Sequence, residues 1–140
     1  MNQAVRRVVR EVKVPRVAGR QQIASHVRAD LHDPKSGRLD ARRIAAYLHI
    51  SLSSLAATTG RSIAAIHKAP AADSLQKPLA PVAQIISILS GILQSKERVR
   101  MWLHSPHPDL GNQIPMSLIL DGHAAAVADM LAAALAGQPS

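Results

Sequence analysis

The groups of this 140-residue chain that could do chemistry are seven histidines, nine carboxylates and seventeen Lys or Arg side chains; cysteine is absent. That absence excludes disulfide frameworks, thiolate zinc sites and cysteine nucleophiles, and it fits a reducing cytosol. His104 and His107, three apart beside Asp109, join His123 as the nearest thing to a metal-ligand set. Pro106 and Pro108 break the helix that would align them, and two-histidine spacings recur by chance. Histidines of a loop or facing solvent are therefore expected, with no metal. A phosphate-cradling glycine loop, a serine elbow and paired carboxylates are all missing, which argues against an enzyme. No aromatic stripe offers stacking to single-stranded nucleic acid.

The cations suggest a different chemistry. Through Arg43 there are 11 Lys or Arg against four acids, whereas from Met101 onward there is none against Asp109, Asp121 and Asp129. A basic front suits a polyanion such as DNA, because Lys and Arg displace counterions from phosphates; a solvated tail is the alternative. Residues 1–38 read as a basic arm holding Arg6, Arg7 and Arg10, broken by Pro15 and Gly19 and closed by the turn-like run at 33–37. A strand at 8–14 or a helix at 21–31 would lack the apolar surface for independent stability, so a partner is expected to order it.

Helices must position these groups. Alanine occurs 24 times, Phe not at all, and Trp102 and Tyr47 are the only aromatics, a composition that favours helix over sheet. From Asp40, a cap, Ile44, Tyr47 and Leu48 fall on one face. A second helix begins at Ser51, carries Leu52, Leu55, Ala56 and Thr59, and stops at Gly60. A third runs from its cap Ser62 through Ile63 and Ile66 and ends before Pro70. A long spine helix is expected from Pro81, with Val82, Ile85, Ile86, Leu89, Ile92 and Leu93 on one stripe. Ser95 caps a helix with Glu97 in its first turn and Val99, Trp102 and Leu103 inward. Residues 105–114 form a loop, and Pro115 opens a short helix with Leu118 and Ile119. A last helix, 123–136, puts Val127, Met130, Leu131 and Leu135 on one face. The longest mostly apolar stretch, 82–93, falls short of the roughly 20 residues of a membrane span.

In a helix-turn-helix two helices cross closely, which asks for a small residue at the crossing and often glycine in the turn. Ala56, Gly60 and an inward Ile66 meet this, making 62–69 the recognition helix. A frame one helix earlier also fits, apart from His49 where glycine is usual; the Gly60 frame is preferred. Arg42, Arg43, Arg61, Ser62, His67 and Lys68, with Arg6, Arg7 and Arg10 of the arm, are the residues expected on DNA. The recognition helix has no Asn or Gln to read adenine bidentately, so specificity would rest on few contacts.

The run Trp102-Leu103, Pro106 and Pro108, Leu110-Gly111, Pro115 and Leu118-Ile119 resembles, in order and spacing, the signature of the Xre/MbcA/ParS antitoxins, partners of RES-domain toxins. With the preceding helices the resemblance spans roughly 40 to 136. It departs from the pattern at Asn112, where a second glycine is frequent, and at Ile114, where Thr or Ser often precedes the helix-opening proline. With the arm 1–38, which lies outside it, the resemblance implies an all-α protein in three parts, the other two being an Xre-like helix-turn-helix module 39–77 and a helical toxin-binding domain 78–140. It further implies a cytoplasmic bacterial antitoxin that covers the active site of an NAD-consuming, ADP-ribosyltransferase-like toxin and represses its own operon as a homodimer. The chain itself would need no cofactor. His104, His107, Asp109, Leu110, Gly111, Asn112, Gln113, Ile114 and Met116 are the expected toxin contacts, while Ala56, Gly60, Trp102, Leu103 and Pro115 have structural jobs. The alternative is a stand-alone regulator whose C-terminal domain only dimerises.

Overall fold

Short polar side chains open the early helices by supplying acceptors to amides that have no partner in a first turn. In the computed structural model, which describes residues 30–137, Asp40 accepts from the amides of Arg42 and Arg43 and opens α1 (Ala41–Leu48). Ser51 accepts from Ser54 and opens α2 (Leu52–Thr59), and Ser62 accepts from Ala65 and opens α3 (Ile63–Lys68). Each such cap contributes about 1 kcal/mol. The first two helices end on left-handed residues, His49 at φ 56° and Gly60 at φ 71°. Glycine adopts this conformation freely; His49 holds it while its amide bonds the carbonyls of Ala45 and Ala46.

The spine, α4 (Gln76–Leu93), is 18 residues long and starts five residues ahead of the expected Pro81. Pro78 falls in the first turn, where an amide would have no partner anyway. Pro81 lies inside the helix and leaves the Lys77 carbonyl without its amide, but Lys77 is exposed and water can serve it. The true start is fixed by Gln76, which follows a 3-10 turn at Asp73–Leu75. Its side-chain nitrogen donates to the carbonyls of Leu39 and Ala72, both at 3.0 Å, and its side-chain oxygen accepts from the Leu39 amide at 2.7 Å.

Beyond the spine come α5 (Lys96–Leu103), capped by Ser95, then α6 (Pro115–Leu118), a π-turn at Ile119–His123 with Gly122 at φ 93°, and α7 (Ala124–Leu135). α7 lies along α4 and buries Ala124, Val127, Ala128 and Leu131. Leu135, expected on that face, is exposed at the helix end, and Met130 is only half-buried. Pro115–Leu135 is a 21-residue helical run whose mean hydropathy of 1.5 would suit a membrane span. It is longer than the stretch at 82–93, and Asp121, Gly122 and His123 interrupt it in the sequence. Here its inner face is part of the protein core.

One hydrophobic core serves the whole described fold, from Leu31 through Ile44, Leu55, Ile66, Leu89 and Trp102 to Leu131. The division at 77 and 78 therefore does not separate two cores. Leu31, read from sequence as part of the arm, is 1% exposed, and its carbonyl accepts from Asp40 at 2.9 Å. The turn that follows is held by Asp33, whose carboxylate accepts from the Ser36 hydroxyl and amide; these bonds lower its pKa. Arg6, Arg7 and Arg10, and the strand weighed at 8–14, lie outside the described residues.

Leu31→Ala is expected to lower the unfolding free energy by about 2–4 kcal/mol, the usual range for emptying a buried leucine site. Urea unfolding followed by circular dichroism measures it. An unchanged midpoint would show that this segment contributes nothing to the core.

Candidate functional site

The chain reverses between His104 and Met116, and His107 is the pivot. Its Nε2 donates to the carbonyl of Trp102 at 3.0 Å, so this nitrogen carries a proton. Its ring lies against the Trp102 indole with centroids 4.5 Å apart and planes inclined by 31°. The His107 amide donates to Gln113 at 3.2 Å, and the His107 carbonyl accepts from Leu110 at 2.9 Å and Asn112 at 3.0 Å. Gly111 at φ 65° and Asn112 at φ 62° close the turn. Asparagine is among the side chains that best tolerate this region, so it preserves a geometry usually left to glycine.

This arrangement divides the expected contact residues. His104, Gly111, Asn112, Gln113 and Ile114 are exposed, Leu110 is half-buried, and Asp109 belongs to the 3-10 turn Pro108–Leu110. His107 and Met116 are buried, 9% and 3% exposed, so neither offers the contact surface expected of it. His107 spends its polar atoms inside the loop, and Met116 turns inward in the first turn of α6 behind the buried Pro115. The Trp102 indole N–H is buried with no acceptor among the described residues, a cost of about 1–3 kcal/mol set against burial of a large ring. Among the described residues no three His, Asp or Glu groups gather as a metal site.

The second surface lies at α1 to α3. Arg42 reaches from α1 to α3, its guanidinium 3.2 Å from the Nδ1 and 3.4 Å from the carbonyl of His67. Because the arginine must donate, Nδ1 is the bare nitrogen of that ring. Arg43, Arg61, Ser62, His67 and Lys68 are exposed, while Ala56 and Ile66 are buried where the two helices meet. Both candidate turns carry a left-handed residue, so glycine alone does not choose between the two frames. The packing of the two helices differs: α2 is enclosed by α1, α3, α4 and the π-turn, whereas α3 packs chiefly on α2 and keeps an open face.

Two further contacts join the surfaces. The Thr58 hydroxyl donates to the Ile119 carbonyl at 2.8 Å, tying α2 to the π-turn. Arg100 of α5 donates through Nε to the Tyr47 carbonyl at 2.6 Å, and Lys96 and Arg100 stand 5.6 and 5.9 Å from the Tyr47 ring centroid. Burial pushes the Tyr47 phenol above its ordinary pKa, with Arg100 opposing. Lys96 also pairs with Asp30 at 3.6 Å. Sequence reading overlooked the exposure of Ile63 and Met101, which with Ile114 and Leu135 are the large apolar side chains left exposed among the described residues. Met101 was legible, since it falls outside the Val99, Trp102, Leu103 stripe.

Residues 91–137 match the family described as the antitoxin Xre/MbcA/ParS C-terminal toxin-binding domain. The match begins within α4 and runs through the loop to the end of α7. No curated protein and no solved structure matches the chain.

His107→Ala removes a hydrogen bond to a buried carbonyl and a ring from beside Trp102. Stability is expected to fall by about 1–3 kcal/mol, with Trp102 emission shifted to the red in the folded state. Thermal unfolding and fluorescence check it; wild-type values for both would mean that the loop stands without its pivot.

Proposed function

We propose, from the match of residues 91–137 to the Xre/MbcA/ParS C-terminal toxin-binding domain, that this chain occludes the NAD site of a RES-domain toxin and represses its own operon. The observation that carries the toxin half of the proposal is the loop inside the matched segment. Its exposed rim of Gly111, Asn112, Gln113 and Ile114 is held from behind by His107, Trp102 and Pro115. A loop closed by its own hydrogen bonds has little freedom left to lose on binding, which favours affinity. From Met101 onward the chain has three acids and no Lys or Arg, the polarity to visit a pocket built for pyrophosphate. NAD belongs to the partner's chemistry and would be excluded by occupation of its pocket.

The DNA half rests on the basic α1 to α3 surface and on the cations before residue 30. A homodimer would present two α3 helices to paired half-sites. In this reading Arg42, Arg43, Arg61, Ser62, His67 and Lys68 hold phosphates, Arg42 being steered by His67.

Co-expression with the product of the adjacent gene, followed by an NAD-consumption assay, tests the first half. A stable complex with suppressed NAD turnover is expected. Ile114→Asp should weaken that complex about tenfold or more, as loss of an apolar interface anchor does. No complex and unaltered NAD turnover would leave the stand-alone regulator as the better account. For the second half, deleting residues 1–29 should weaken DNA binding and flatten its salt dependence while sparing neutralisation. The cut stops at 29 because Leu31 belongs to the core.

A further inference from the structure

The exposed face of α3 is apolar in its first turn, with a cation before it and another after it along the chain. Ile66 is buried against α2, and at 100° per residue Ala64 and Lys68 point the opposite way, with Ile63 and His67 on one flank and Ala65 on the other. Ile63 is 43% exposed, and Ala64 and Ala65 are exposed too. Leaving an isoleucine in water forfeits burial that the neighbouring core could have offered. Arg61 stands before this patch and Lys68 after it, and Arg42 is held beside His67 at its far end.

We propose that this face reads duplex DNA through thymine methyl groups, with Ile63, Ala64 and Ala65 against the major-groove edge while Arg61, Lys68 and Arg42 clamp the flanking phosphates. The inference rests on the DNA-binding reading above and deepens it. In the major groove thymine alone among the four bases presents a C5 methyl, and small apolar side chains are its partners. The first turns of a recognition helix are the part that meets base edges. A helix without Asn or Gln has no bidentate reader for adenine, so the thymine methyl on the opposite strand is the feature of an A·T pair that this face is best fitted to recognise. The charges on either side complement phosphate, as a protein-facing patch would not require. Ile63 is then a specificity residue, and its removal should relax sequence preference without touching the electrostatic part of binding.

The test uses the full chain and a randomised 30-bp duplex library at near-physiological salt. Selected duplexes should be enriched in thymine at fixed, paired positions. Replacing those thymines by deoxyuridine keeps every hydrogen-bonding group and removes only the methyls, and should weaken binding about fourfold for each methyl lost. I63A should cut that penalty while leaving the salt slope unchanged, and K68A should reduce the slope while leaving the penalty. Equal binding of thymine and deoxyuridine duplexes would overturn the methyl reading and leave DNA binding intact. Failure to bind any duplex, even at low salt, would overturn both.

Discussion

Everything in this fold depends on α4 having apolar residues enough to be packed from both sides. With no Phe, one Trp and one Tyr, no single large ring can anchor a module, and aliphatic side chains must supply the burial. Leu79, Val82, Ile85, Ile86, Leu89, Ile92 and Leu93 do so along one helix. The basic N-terminal helices and the acidic C-terminal ones share these residues as a common floor. Two small cores would each have been marginal, since a short chain buries a small fraction of its surface; a shared one makes the halves stable together.

Local rules made much of this visible in the sequence. Asp40, Ser51, Ser62 and Ser95 all cap where their spacing says they should, because capping is decided within four residues. The apolar stripes of α1, α4 and α5 follow from the 3.6-residue period. What escaped was non-local. The start of α4 was set by Gln76 bonding Leu39, a partner 37 residues away, and Pro81 offered a stronger but misleading local signal. Leu31 looked like part of a tail because its burial depends on helices that come later in the chain.

The candidate surfaces divide in the same way. The rim residues Gly111 and Asn112 were legible because a positive φ limits residue choice. His107 was not, since a histidine in a polar loop gives no local sign that its ring will be turned inward against Trp102. Ile63 was equally hidden: the helical wheel places it only 60° from the buried Ile66, and its exposure follows from α3 standing at the edge of the cluster. The family match, residues 91–137, covers the stretch in which spacing carries the most constraint, the turn-rich run from the end of α4 to α7.

The single tryptophan has a consequence outside energetics. Trp102 sits behind the rim, its indole against His107, and the sole tyrosine, Tyr47, lies at the end of α1 beside Lys96 and Arg100 of α5. The protein thus carries two native optical labels, one behind the rim and one where α1 meets α5. Selective excitation of the indole observes the loop without any dye, so an occupant arriving at the rim is seen through the ring that supports it.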